Sequence, residues 1–233
     1  VQCASSTDLK TIPENSVDYI FTDPPFGDNL NYSELNFIWE SWLKVITQIA
    51  PEAIVSPKQG KRLMEYQTLL EKCFAEYFRI LKPNRWITVE FHNSRNAVWN
   101  AIREVIQKAG FIIADVRTLN KKQGSYNQVR GAEQAVKQDL VISAYKPKDS
   151  FKRDFLRQVG SEETAWTFVR QHLSNLSIAP SNDGKIEAVA ERQAYLLFDR
   201  MVAYHIMRGI PIPLDASDFY RGLDERFLKR DNM

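Results

Sequence analysis

Cysteine is scarce in this chain of 233 residues, and Cys3 and Cys73 have neither the density of a disulfide framework nor the spacing of a metal site. Both read as reduced thiols, and no metal site is implied. Long apolar runs are missing as well. No stretch reaches the ~18 consecutive apolar residues of a membrane helix. The start, Val1-Gln2-Cys3-Ala4-Ser5-Ser6, lacks the charged and apolar regions of a secretory leader. A soluble, cytoplasmic protein without a membrane partner is expected. The net charge of +2 does not by itself point to a polyanion. Glycine is thin, and of the nine glycines no two stand two apart, which excludes a Gly-x-Gly cofactor loop within these residues.

What is present is ample apolar content, 44% of residues, for one large domain or one domain with an appendage. The first part alternates strand-like and helix-like runs, which argues for βαβ units and a parallel sheet. Strands are expected at Val17–Thr22, Trp86–Phe91, Phe111–Arg117 and Leu140–Tyr145. Tyr66–Leu81 is apolar at helical spacing and is closed by Lys82-Pro83-Asn84, because Pro83 cannot continue a helix. A second helix, Ala97–Ala109, has Ser94 or Asn96 as its cap and Gly110 just past its end. Phe37, Ile38, Trp39, Trp42 and Leu43 read as a helix core face. After Lys146-Pro147 the pattern turns helical, at Phe151–Val159, Glu162–Leu176, Ile186–Met207 and Ala216–Phe227. Arg192, Arg200 and Arg208 read as a solvated face of the third of these helices, and His172 and His205 as structural. Domains are therefore expected at 1–148 and 149–233.

The chemistry concentrates where the first strand runs out, at Asp23-Pro24-Pro25-Phe26. In an open α/β sheet, ligands bind beyond the carboxyl ends of the strands. The exocyclic amine of a nucleobase is a poor nucleophile because its lone pair is delocalised into the ring. Two acceptors aimed at its two N–H bonds localise that pair on nitrogen. The Asp23 carboxylate and the Pro24 carbonyl are such acceptors. Two successive prolines fix φ and remove two N–H donors, so the loop is stiff and preorganised. Phe26 offers a face for an unstacked base, worth about 1–3 kcal/mol. The plain alternative, a surface turn, is disfavoured by the strand before the tetrad and the strand–helix–strand series after it.

The segment Asn15-Ser16-Val17-Asp18-Tyr19-Ile20-Phe21-Thr22-Asp23-Pro24-Pro25-Phe26 resembles the (Asp/Asn/Ser)-Pro-Pro-(Tyr/Phe/Trp) motif of amino-group DNA methylases, which act on adenine N6 or cytosine N4. It is most similar to the large prokaryotic adenine-specific enzymes. Supporting phrases are Tyr32-Ser33-Glu34-Leu35-Asn36-Phe37-Ile38-Trp39, Arg79-Ile80-Leu81-Lys82-Pro83 and Phe91-His92-Asn93-Ser94. The resemblance implies an α/β fold. It would be the C-terminal half of a Rossmann-like methyltransferase sheet, with an antiparallel edge strand and an all-helical region following. It also implies S-adenosyl-L-methionine as cofactor, DNA as partner and in-line methyl transfer without a covalent enzyme intermediate. A restriction-modification setting goes with it. Asp23, Pro24, Pro25 and Phe26 become the catalytic tetrad, with Asp23 also beside the cofactor.

The family's glycine-rich cofactor loop is absent here, so it is expected upstream, in a missing part of the same polypeptide, and this fragment is expected to be inactive alone. Where many relatives carry an acid ahead of the first strand, this chain has Ala4 followed by Ser5, and Ser5 is a candidate cofactor contact. Asn31 and Tyr32 are candidates for a lid or base pocket. His92 and Asn93 either line the pocket or simply end a strand and cap a helix. From Arg117 to Lys137 five basic residues (Arg117, Lys121, Lys122, Arg130 and Lys137) face the single acid Glu133, and Lys121, Lys122 and Arg130 are candidate phosphate contacts. Methylation of RNA or of a protein glutamine, or a non-catalytic nucleic-acid-binding module, are the alternative functions.

Overall fold

The computed structural model describes residues 5–27, 30–93, 95–119, 139–176, 181–182, 185–186 and 190–228. The chain divides into two compact units, 1–146 and 147–233. The first has a four-stranded mixed sheet in the order β1-β2-β4-β3, made of β1 (Val17–Thr22), β2 (Leu81–Phe91), β3 (Ile112–Leu119) and β4 (Asp139–Tyr145). β1 and β2 are parallel, with Ile20 opposite Ile87 and Thr22 opposite Val89. β4 runs antiparallel to both β2 and β3. The reversed strand therefore lies inside the four-stranded order rather than at its edge, which corrects the expectation of an antiparallel edge strand. With β4 inserted, β3 takes the edge and keeps the direction of β1 and β2.

Alternation along the strands selects the covered face. Ile87, Val89 and Phe91 of β2 and Ile142 and Ala144 of β4 are buried with Tyr66, Leu70 and Phe74 of α2 (Leu63–Ile80) and Val98, Ile102 and Val105 of α3 (Asn96–Lys108). On the opposite face of β1, Tyr19 and Phe21 are 55% and 59% exposed. β2 begins directly where α2 ends, earlier than Trp86, and its register with β1 shifts near Asn84, which has φ +64°. Lys146, just past β4, is 5% exposed and donates from Nζ to Asn15 Oδ1 (2.7 Å), Phe78 O (2.6 Å) and Leu81 O (2.8 Å). It thereby caps the carbonyl end of α2, where a cation also complements the helix dipole.

The helix α1 (Tyr32–Leu43) overturns the expectation of a core face. It buries no residue, and Ile38, Trp39 and Trp42 are 66%, 70% and 85% exposed, with Phe37 and Leu43 similarly open. The cause lies on its polar side. Glu40 accepts from the Thr47 N–H (2.9 Å) and hydroxyl, and Glu52 accepts from the Ser33 N–H (2.9 Å) and hydroxyl (2.8 Å). The helix is thus fastened to the loop that follows it by its polar groups, and the apolar stripe turns outward.

The second unit contains α4 (Asp149–Arg157), α5 (Glu163–Asn175), a short hairpin of β5 (Ser181–Asn182) and β6 (Lys185–Ile186), α6 (Ala194–Met207), α7 (Ala216–Leu223) and a π-helical turn at Asp224–Leu228. The expected helix from Ile186 thus starts only at Ala194, and Ile186 itself is in the hairpin. Phe151, Phe155, Trp166, Phe168, Leu197, Met201 and Phe219 are buried in this unit. The three arginines read as a solvated face are engaged instead. Arg200 pairs with the buried Glu191 (3.1 Å), Arg208 lies over the Tyr204 ring (3.8 Å), and Arg192 donates to Leu176 O (3.4 Å). His172 and His205 are fully buried, and His205 meets Met201 O (2.8 Å) and Thr164 Oγ1 (3.0 Å).

Candidate active site

Because β1 and β2 are parallel neighbours, their carboxyl ends share one edge of the sheet, and Asp23–Phe26 leaves β1 there beside His92–Asn93 leaving β2. The loop holds its shape through contacts with distant elements. Tyr66, fully buried in the first turn of α2, donates its hydroxyl to Pro25 O (2.6 Å). Asn93 donates from Nδ2 to Phe26 O (2.5 Å), and the Val55 N–H donates to Gly27 O (3.0 Å). Gly27 sits at φ +88°, where a side chain is strained, and an added Cβ would meet Asn93 Nδ2 at 3.4 Å. Among the described residues no donor reaches the Pro24 carbonyl.

Asp23, Pro24 and Pro25 border a cavity of about 530 Å³. Its other walls are Ser5 and Ser6, Thr22 of β1, Tyr32 of α1, the loop 46–53, and Leu70, Cys73, Phe74 and Tyr77 of α2. Burial and the neighbouring Asp23 carboxylate both push the Tyr32 phenol above its usual range. Burial also raises Tyr77, although hydrogen bonding with Ser6 and Thr22 partly opposes it. Cys73 is raised to about 11 by burial, so its thiol stays protonated and unreactive at neutral pH. Lys61, 7% exposed, donates to Ile49 O and to Glu52 O (2.7 Å) and so braces the loop wall.

The sequence-nominated residues separate into groups. Ser5, Asp23 and Tyr32 meet around this cavity, although the Ser5 hydroxyl is also engaged with Thr7 Oγ1 (2.8 Å). The Phe26 ring packs edge-on against Phe91 (5.4 Å between centroids) and lies 6.0 Å from the His92 ring. His92 Nδ1 is 2.6 Å from Asp139 Oδ1, an ion-pair distance whose geometry does not complete a hydrogen bond. Asn31 stands at the N-cap position of α1 with its amide on Glu34 (3.2 Å), not on the helix backbone. Asn93 is 8% exposed, with its side chain committed to Phe26 O and to the Arg95 N–H (2.7 Å). Arg95, not Ser94 or Asn96, occupies the cap position of α3, and Ser94 is outside the described residues. Lys121, Lys122 and Arg130 also lie outside them. Sequence reading missed Tyr66, Ser6 and the 46–53 wall. Tyr66 is indistinguishable in the pattern from any apolar helix position, and only its hydroxyl gives a hint of a second role.

The family model for N6/N4 DNA methylases matches residues 17–186, most of the chain, including the tetrad and all four strands of the sheet. The chain belongs to the N6/N4 DNA methylase family. That family uses S-adenosylmethionine. Among curated proteins nothing matches this chain. Solved structures similar to it include the cytosine-N4-specific PvuII DNA methyltransferase, at 13% identity and TM-score 0.41 over 77% of this chain and 64% of that one. A candidate DNA modification methylase of Thermus thermophilus matches at 16% identity and TM-score 0.38 over 72% of each chain. The complex of that same protein with S-adenosylmethionine matches at 16% identity and TM-score 0.37 over 91% of this chain and 97% of that one. Among the described residues there is no helix long and apolar enough to cross a membrane and no cluster of metal-ligating side chains.

Proposed function

We propose that this chain is the amine-holding half of a DNA amino-methyltransferase acting at adenine N6. The observation that carries the reading is the clamped tetrad, whose Pro25 and Phe26 carbonyls, like that of Gly27 after it, are occupied, while Pro24 and Asp23 border the cavity. Asp23 and Pro24 O each accept one N–H of the exocyclic amine and draw its lone pair out of the ring. The Phe26 ring, fixed on one edge by Phe91, lends its remaining surface to the flipped base. The preference for adenine rests on the tetrad beginning with Asp.

The cavity walls fit part of the cofactor. Leu70, Phe74 and Tyr77 are an apolar platform and Ser5, Ser6 and Thr22 bring hydroxyls, a mixture suited to an adenosine. When bound, S-adenosylmethionine supplies a methyl carbon made electrophilic by its sulfonium. A glycine-rich backbone for the remaining part is not among these residues. We assign it to another segment of the same polypeptide, placed along β1, whose second edge has no partner strand among the described residues. The basic 117–137 stretch is assigned to DNA phosphate.

The test is methyl transfer to DNA by the full-length protein, followed by nucleoside analysis. N6-methyladenine is expected from the wild type and none from Asp23→Ala. Unchanged methylation by Asp23→Ala would refute the assignment, and N4-methylcytosine alone would refute the base.

A further inference from the structure

Tyr66 and Asn93 are joined by their partners more than by their positions. Each is a side chain from an element remote in sequence, and each places one donor on consecutive carbonyls of the tetrad loop, Pro25 O at 2.6 Å and Phe26 O at 2.5 Å. Both are nearly inaccessible, at 0% and 8% exposure. A phenylalanine at 66 would fill the same core volume beside Leu70 and Phe74, so packing alone does not call for the hydroxyl. Burial holds the phenol protonated, and it remains a donor throughout the neutral range. Asn93 is fixed in turn, since its Oδ1 accepts from the Arg95 N–H and its own carbonyl accepts from Trp99 Nε1 (2.7 Å). The amide therefore cannot rotate without breaking two bonds at once.

We infer that Tyr66 and Asn93 are positioning residues for methyl transfer, clamping the tetrad so that Pro24 O and the Asp23 carboxylate converge on one amine. The inference rests on the reading of the tetrad as the amine holder. Neither residue touches the reacting atoms. A displacement of about 1 Å at a reacting centre costs on the order of 100-fold in rate, and these two bonds set the loop at that scale.

The experiment uses the full-length protein and three substitutions. Tyr66→Phe deletes only the hydroxyl, and Asn93→Asp keeps the acceptor for Arg95 but replaces the donor to Phe26 O by a carboxylate oxygen that repels it. Val105→Ala, in the buried face of α3 away from the loop, is the stability control. For Tyr66→Phe and Asn93→Asp, kcat is expected to fall about 10- to 100-fold, on the order of the positional effect above. The KM for S-adenosylmethionine should stay within about threefold, because its binding groups are untouched. Val105→Ala should lower the melting temperature without lowering kcat at a temperature where it is folded. Wild-type kcat in both loop variants, with Asp23→Ala inactive, overturns this inference and leaves the function standing. Activity in Asp23→Ala overturns the function itself. A parallel loss of kcat in Val105→Ala, or failure of both loop variants to fold, makes the role merely structural and also overturns it.

Discussion

Replacing Lys146 with Met should be among the most damaging single changes in the first unit. The side chain keeps its length and its contact with the Phe78 ring, but the ammonium that serves three acceptors is gone. Those acceptors, Asn15 Oδ1, Phe78 O and Leu81 O, lie 2.6–2.8 Å from Nζ in a site where the lysine is 5% exposed. Each buried acceptor left without a donor costs about 1–3 kcal/mol. Against this, the ammonium no longer has to be desolvated, a relief of several kcal/mol. Water reaching Asn15 at the rim would recover part of the loss. The net expectation is about 3 kcal/mol, a large share of the ~5–15 kcal/mol that holds a typical domain together. Urea unfolding followed by tryptophan fluorescence reads it directly. With a slope of about 1–3 kcal/mol/M, the midpoint should drop by at least ~1 M while the slope is unchanged. A loss below ~1 kcal/mol would show that the three carbonyl oxygens are satisfied without the lysine, and the account of how the end of α2 is capped would be wrong.

Two further outcomes concern the second unit. Burial, with a smaller contribution from Arg200, depresses His172 to about 3 from its ordinary 6.5, so the folded state resists a proton that the unfolded chain accepts. Stability is then full above about pH 6.5 and falls as pH drops toward 3, and by pH 5 His172 alone costs about 2 kcal/mol. His172→Phe, stacked on Phe168, should flatten that acid slope in urea titrations at pH 7.5 and pH 5, and an unchanged slope would refute the assignment. An added Cβ at Gly222 would come within 2.4 Å of the Trp166 ring, which is stacked on Phe219. Gly222→Ala should therefore cost about 1–3 kcal/mol through forced displacement of the indole, and a gain in melting temperature would refute it.

Much of the first unit was legible because its signals are periodic or carry direct stereochemical meaning. Short apolar runs placed β1 at its observed bounds and β4 within one residue of them, and the apolar spacing of Tyr66, Leu70, Cys73 and Phe74 located α2. Less legible was anything decided by what an element packs against. The apolar stripe of α1 has the periodicity of a core helix, but Glu40 and Glu52 fasten its polar side to the following loop and reverse its orientation. Likewise, Arg200 and Arg208 look solvated in sequence because a charged residue does not announce a buried partner, and Glu191 and Tyr204 supply one each. The position of β4 between β2 and β3 depends on pairing across the sheet, for which local pattern carries no information. At the site, the tetrad could be read from four adjacent letters. Its clamp could not, because it joins residues far apart in the chain.

That distance affects how the site comes into being. The two clamp bonds span 41 and 67 positions of sequence, and the third anchor reaches from Gly27 to Val55. Closing such loops carries an entropic cost before any contact rewards it, so non-local structure forms late. The clamped geometry of the tetrad loop is therefore acquired only when α2 and β2 have docked, and it is lost as soon as either loosens. Under the proposed function, competence for methyl transfer would then work as a built-in gauge of whether the first unit is fully folded. A partly assembled chain has the complete tetrad in its sequence but no defined carbonyl geometry at it.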